Sequence, residues 1–290
     1  MRYAICNELF AGWDLGRTCA CVARAGYAGI ELAPSTLAPA GVQALDDAAR
    51  SAIGRQAADA GLAVVGLHWV LAGPPGLHLT SRDGAVRRRT SEYLLLLTDC
   101  CADLGGSVLV LGSPRQRTLE AGMDVPEGCR LAADCLAPAV ERAADRGVRW
   151  CLEPLPRAET NFLNTLDAAL ALDALLGRGP ALGVQLDVKS LSAESPEPTR
   201  PDLPIEAHAA HAGRFGHLHA NDRNRRGPGT GDVAFDRLFA ALRRVGYGGW
   251  ASVEVLDRHG GDPEEIARES LRHLRRAEDS TGGAGDRGAG

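Results

Sequence analysis

Gly216-His217-Leu218-His219-Ala220-Asn221-Asp222-Arg223-Asn224-Arg225-Arg226-Gly227-Pro228-Gly229-Thr230-Gly231-Asp232 leaves a short β-like run, sets down a histidine and passes at once into a polar, glycine-rich turn. Three other short apolar runs each end on a carboxylate: Cys151-Leu152-Glu153-Pro154, Gln185-Leu186-Asp187 and Ser252-Val253-Glu254. Glu153, Asp187, His219 and Glu254 follow one another at 34, 32 and 35 residues. Each interval is the length of one strand, one helix and their loops, so the same unit repeats along the chain.

Outward from these four ends, strand-like and helix-like runs alternate eight times. Strands are expected at 3–6, 29–32, 63–70, 107–111, 148–153, 182–188, 215–219 and 250–256. Helices are expected at 14–26 (capped by Asp14), 45–60, 85–104, 126–145, 165–176, 205–212, 235–245 and 263–278. A polar loop through Pro196, Pro198 and Pro201 separates the sixth strand from its helix. Eight such units predict an α/β fold, a single (β/α)8 TIM barrel over residues 1–278. A doubly wound open sheet is the competing architecture. It calls for a glycine-rich turn after the first strand, where this chain has Cys6-Asn7-Glu8-Leu9-Phe10. Residues 279–290, with five glycines among twelve, are expected to be a disordered tail.

At 290 residues and 45% hydrophobic content the chain is long enough to bury a large core, and 4% aromatics make that core aliphatic. A net charge of -5 offers no basic footprint, so neither nucleic acid nor an anionic membrane is an expected partner. No basic leader precedes the first strand, and no apolar run reaches about 18 residues. A cytoplasmic protein is expected. The eight cysteines form no CxxC pair and fall mostly in apolar runs, which reads as buried reduced thiols. Among 32 basic residues a single one, Lys189, is lysine. In a chain so biased to arginine, a lone lysine marks either chance survival or a place that needs an ammonium.

Catalytic groups of this barrel sit at the C-terminal ends of the strands. Glu153, Asp187, His219 and Glu254 all take that position, at one height on consecutive strands. Taken singly, each reads more readily as a satisfied buried acid or core histidine. Together, three buried carboxylates without a cation are costly, and with one imidazole they make a hard, oxygen-rich site. One divalent metal ion is expected there, Mn2+ first and Mg2+ or Co2+ as alternatives. His217 shares the face of His219 and lies deeper, in a supporting or packing role.

Glu153-Pro154-Leu155-Pro156-Arg157-Ala158-Glu159-Thr160-Asn161-Phe162-Leu163-Asn164-Thr165 closely resembles the strand-five motif of the xylose-isomerase-like sugar phosphate isomerase/epimerase superfamily, and within it of the ketose 3-epimerases. The resemblance spans residues 1–278. It implies a divalent-metal-dependent isomerase or epimerase of a keto-sugar or polyol, working through an enediolate on the metal. It implies Glu153, Asp187, His219 and Glu254 as the ligands. Of these, Glu153 and Glu254 would be the catalytic pair on opposite faces of the sugar carbon. Glu159 matches a substrate-contacting acid and Arg225 an arginine that holds substrate oxygens. A homodimer or homotetramer is implied as well. At strand six the resemblance breaks, because those epimerases carry Asp-x-x-His and this chain reads Asp187-Val188-Lys189-Ser190. By strand alternation Lys189 points with Asp187 to the mouth, where it either supplies the polar contact in place of that histidine or holds a carboxylate or phosphate, with Ser190 beside it.

Further candidates stand at other strand ends. His68 and Trp69 would meet the sugar, with a structural imidazole and a packed indole as the plain alternative. Trp13 has a weaker claim of the same kind. Glu8 and Glu31 either line the mouth or are solvated loop acids. The 223–231 loop is either an anion-binding cradle or a flexible rim, and Ser113–Arg117 a comparable rim. The same site would also serve a lyase or dehydratase expelling a β-substituent, of inosose or C-glycoside type. Lys189 as a Schiff-base nucleophile, a multi-zinc endonuclease and a non-catalytic binding protein are weaker readings.

Overall fold

The computed structural model describes residues 1–177 and 179–282. Eight parallel strands close into one barrel in sequence order: β1 (Arg2–Cys6), β2 (Gly29–Leu32), β3 (Ala63–Leu67), β4 (Val108–Leu111), β5 (Arg149–Leu152), β6 (Leu182–Asp187), β7 (Phe215–Ala220) and β8 (Trp250–Val253). Pairing of β1 with β8 completes the ring. Helices on the outside start where the sequence supplies caps. Asp14, Asp46, Asp124 and Thr165 each accept the backbone amide three residues on, opening Leu15–Ala25, Asp47–Asp59, Val125–Arg146 and Leu166–Leu175. Gly26 and Gly147 stop the first and third of these in the left-handed conformation.

The core lies between barrel and helices and is aliphatic, as the composition predicts. Its bulkiest fully buried side chain is Trp150, whose indole N–H donates to Thr98 Oγ1 at 3.1 Å. All eight cysteines are free, and seven are buried.

Two elements differ from expectation. Where a polar loop was predicted after β6, the helix Val188–Glu194 starts with no spacer, because the Asp187 carboxylate caps it by accepting the Ser190 amide at 2.8 Å. The expected 205–212 helix is replaced by Asp202–Ala207 and a 3-10 turn over Ala209–Arg214, with a non-helical break at His211. At the far end the helix Pro263–Gly282 runs four residues into the stretch expected to be disordered, and residues 283–290 lie outside the described residues.

Strand register corrects the idea that the four ligands share one height. Leu152 pairs with Val184, so Glu153 falls beside Gln185, two residues short of Asp187. Asp187 pairs directly with His219, and His219 with Ser252, two short of Glu254. Strands of such a barrel tilt and climb about one residue per strand. The stagger in register is that climb, and it brings the four ends together in space.

Candidate metal centre and substrate cavity

Ligand atoms of Glu153, Asp187, His219 and Glu254 all lie within 4.8 Å of one another, and all four residues are buried. Their charges set each other's protonation. Burial pushes the Glu153 carboxyl up, and the neighbouring Asp187 and Glu254 push it further. Burial acts on Glu254 in the same direction, but His219, His68 and Lys189 outweigh it and hold Glu254 below the usual carboxylate range. With no cation bound, Glu153 keeps a proton that Glu254 has lost.

Beneath the cluster, Glu31 organises the histidines. It is fully buried and takes His217 Nε2 at 2.7 Å on one oxygen and His219 Nε2 at 3.0 Å on the other. It is therefore neither a mouth acid nor a solvated one. This contact fixes the His219 ring and leaves its Nδ1 buried without a hydrogen bond, 3.7 Å from Glu254 Oε1. A carboxylate behind an imidazole whose other nitrogen is unclaimed is the usual support of a metal-binding histidine. The residues thus fit a divalent ion: three carboxylates, one oriented imidazole, and an orphaned ring nitrogen among them.

Sequence reasoning missed Asn221. Its Nδ2 donates to Asp187 Oδ2 at 2.7 Å and Glu254 Oε2 at 3.2 Å, while its Oδ1 accepts the Lys189 amide at 2.8 Å. The signal was its place two residues after His219, on the same side of the strand end. Gly112 was missed too. A Cβ there would fall 1.7 Å from Glu153 Oε2, so a side chain at the residue after β4 would push this carboxylate aside.

Above the ligands a cavity of about 510 Å3 opens at the C-terminal face. Glu153 and Glu254 reach it, together with Trp69, Glu159, Lys189 and Arg225. Lys189 arrives from the first turn of its helix rather than by strand alternation. Its Nζ donates to Glu159 Oε1 at 2.8 Å and lies 3.8 Å from Asp187 Oδ1. Burial pulls the ammonium down, but Asp187, Glu153 and Glu159 outweigh it and keep it charged. A charged amine is a poor nucleophile, which weighs against a Schiff-base aldolase.

Two expected substrate contacts stand elsewhere. Neither His68 nor Ser190 lines the cavity. His68 is fully buried, with Nε2 3.0 Å from Glu8 Oε2 and Nδ1 3.7 Å from Glu254 Oε1. Ser190 serves Asp187 through its backbone amide. Trp69 is the reverse case: partly exposed at the cavity edge, with φ of 52°, a backbone state that a bulky residue adopts only under constraint. Trp13 packs on Phe10 at 5.4 Å and carries Arg17 on its ring. The 223–231 loop is not an open anion cradle. Its inward amides, from Gly229 and Gly231, donate to Asp222 Oδ2 at 3.1 and 2.9 Å.

Known proteins resemble this chain. The chain is 34% identical over 173 residues to the ketose 3-epimerase of Arthrobacter globiformis, covering 59% of this chain and 57% of that one, so it spans little more than half the length of that relative. It is 32% identical over 267 residues to a putative hydroxypyruvate isomerase of Streptomyces coelicolor, covering 88% and 89%. The solved structure of an L-ribulose 3-epimerase superposes with a TM-score of 0.81 at 24% identity, covering 100% of this chain and 99% of that one, a likeness of fold. Residues 19–277 match the family model described as xylose isomerase-like TIM barrel, and with a barrel closed in the same order the chain belongs to that family.

Proposed function

We propose that the chain is a divalent-metal-dependent epimerase or isomerase of a keto-sugar. The observation that carries this is the buried cluster of Glu153, Asp187, His219 and Glu254 directly under a sugar-sized cavity. The resemblance to ketose 3-epimerases and a hydroxypyruvate isomerase supports it. These four residues would hold the ion, and oxygen-rich donors with one imidazole suit Mn2+. When bound, such an ion lowers the barrier to removing a proton from the carbon beside a carbonyl.

The chain's own residues do the rest. Glu153 comes from the end of β5 and Glu254 from the end of β8, and both reach the cavity. One takes the proton from the substrate carbon and the other returns a proton to it, with exchange of configuration when the two act on opposite faces. Asn221 holds Glu254, and Gly112 leaves room for Glu153. The Lys189–Glu159 pair gives the substrate an ammonium and a carboxylate oxygen as hydrogen-bond partners, where the resembling enzymes use a histidine. Trp69 offers a flat apolar face at the rim. Eight free cysteines fit a reducing, cytoplasmic setting. Among the described residues, no helix is long and apolar enough to cross a membrane.

The test is incorporation of solvent deuterium into a panel of keto-sugars by the Mn2+-loaded protein. Deuterium is expected at the carbon next to the carbonyl, with mass otherwise conserved, and Glu254→Gln should lower the rate about 10²- to 10⁴-fold. Full exchange in the presence of a chelator, or in the Glu254→Gln variant, would sink the reading. Loss of a substituent from the product would instead point to elimination.

A further inference from the structure

Strands β1 to β3, across the ring from Glu153 and Asp187, bring a second set of donor atoms to His219. Cys6 ends β1, Glu31 lies in β2 and pairs directly with it, and His68 follows the last residue of β3. One ligand atom from each of Cys6, Glu31, His68 and His219 falls within 4.8 Å of the other three, and all four residues are fully buried. Cys6 Sγ is 3.9 Å from His219 Nε2, and Glu31 Oε1 is 3.0 Å from the same nitrogen. The His68 and His219 rings meet edge to face, 5.7 Å between centroids. His219 therefore stands between two clusters. Its Nδ1 faces Glu254, and its Nε2 faces Glu31 and Cys6.

Support of the His219 ring accounts for Glu31 but not for Cys6 or His68. His68 Nε2 is 3.0 Å from Glu8 Oε2, yet the angles give neither of its buried ring nitrogens a hydrogen bond. Of the eight cysteines, Cys6 alone joins such a donor group among the described residues. Donor chemistry separates the two clusters. Three carboxylates and an imidazole suit a hard ion such as Mn2+, whereas a thiolate, a carboxylate and two imidazoles make a four-ligand set for zinc. One thiolate and one carboxylate also neutralise a divalent charge in a site with no water around it. A neutral imidazole offers an ion one nitrogen and carries a proton on the other. An ion held at Nε2 leaves that proton on Nδ1, and His219 is then lost to Glu153, Asp187 and Glu254.

We propose that Cys6, Glu31, His68 and His219 form a second site, for a thiophilic ion of the zinc type, and that an ion bound there displaces the one in the first centre. Binding releases the Cys6 thiol proton to solvent and moves the imidazole proton of His219 from Nε2 to Nδ1. The displacement rests on the metal centre proposed above, and the site itself does not. Titration of the metal-free full chain with Cd2+, read by the ultraviolet absorption of a cadmium–thiolate bond, tests the site. A band that saturates at one ion per chain is expected in the wild type and should be absent in Cys6→Ala and Cys6→Ser. No band, or the same band in Cys6→Ala, overturns the proposal, because the ion then sits on carboxylates or on another cysteine. Cys6→Ser is nearly isosteric, and melting in chelator checks that both variants fold. For the displacement, Zn2+ is added to the Mn2+-loaded chain and free Mn2+ is read by electron paramagnetic resonance. Release is expected in the wild type. Cys6→Ala should need about tenfold more Zn2+ or above, with its own Mn2+ affinity unchanged. Equal release from both proteins would show Zn2+ simply replacing Mn2+ on the first four ligands, and would overturn the displacement. A cadmium band in a chain that binds no Mn2+ would fell the first metal centre and leave this site standing.

Discussion

Asn221 carries no charge, yet both of its side-chain polar atoms are committed to the ligand cluster. It clamps Asp187 to Glu254 and ties both to the start of the helix that presents Lys189. Truncation to alanine leaves two buried carboxylate oxygens and one amide unpaired, at about 1–3 kcal/mol of stability. Metal affinity of Asn221→Ala should fall about 10- to 100-fold by calorimetry, as for other residues that orient ligands from behind. Protonation makes a second demand at this scale. In the metal-free fold burial and acidic neighbours raise Glu153 from 4.5 to about 8. His219 is pulled down by burial but raised more by Glu31 and Glu254, from 6.5 to about 10. Both hold a proton at pH 7 that an incoming ion must displace. Metal affinity is therefore expected to climb about a hundredfold per pH unit below pH 8 and about tenfold per unit from there to pH 10. Stability of the metal-free protein runs the other way. Both groups bind their protons more tightly folded than unfolded, so their own contribution is full below about pH 4.5 and declines as pH rises from there to about 10, whereas Glu254, held below its usual range, contributes stability that is lost as pH falls below about 4.5. Melting in chelator against pH checks the sign. A flat profile, or metal affinity independent of pH, would contradict it.

Elements of the fold do chemical duty at their ends. β4 stops at Leu111 and the next residue, Gly112, has no side chain because Glu153 occupies that space. Gly112→Ala should fold, since the clash is with the tip of a side chain, but it must push that tip off the ligand position. Near-wild-type melting of the chelated protein with at least about a hundredfold loss of metal affinity is the expected pair of results. Equal metal binding would show that Glu153 is not a ligand. Strand ends were the legible part of the sequence. The four polar residues that terminate apolar runs at intervals of one strand-helix unit could be read directly, because a barrel repeats its geometry with its spacing. Glu31 could be seen as a strand-end acid, but not its partners, which lie 186 and 188 residues away. Lys189 reaches the cavity, but not by the route the sequence suggests. Alternation assumes a strand, and Asp187 ends the strand by capping a helix, a choice visible only once its carboxylate is seen to accept the Ser190 amide.

Over the whole molecule, the barrel's closure turns a repeated interval into a point. Register alone separates the ligands by two residues at two of the three steps, and strand tilt restores them. The fold was readable because eight apolar runs and eight helix-like runs alternate. The exact stagger was not, because it depends on how strands pair and not on their sequence. Such convergence packs Glu31, Glu153, Asp187 and Glu254 into one buried end of the barrel, beside His68, His217, His219 and Lys189. Acids crowded in low dielectric oppose folding unless cations balance them. A bound ion should therefore stabilise the molecule: at a hundred times its Kd the gain is about 2.7 kcal/mol. That corresponds to a melting shift of about 5–10 °C for a chain of this size. No shift with Mn2+, Mg2+ or Co2+ would show that the internal histidines and lysine already balance the acids.

The most direct measurement is the metal content of the purified chain after equilibrium dialysis against Mn2+, read by elemental analysis for wild type and His219→Ala. One ion per chain in the wild type, falling to less than about a tenth in the variant, is the result expected when the imidazole Nδ1 is a ligand. No bound ion in the wild type, or the same content in both proteins, would contradict a metal centre built on Glu153, Asp187, His219 and Glu254.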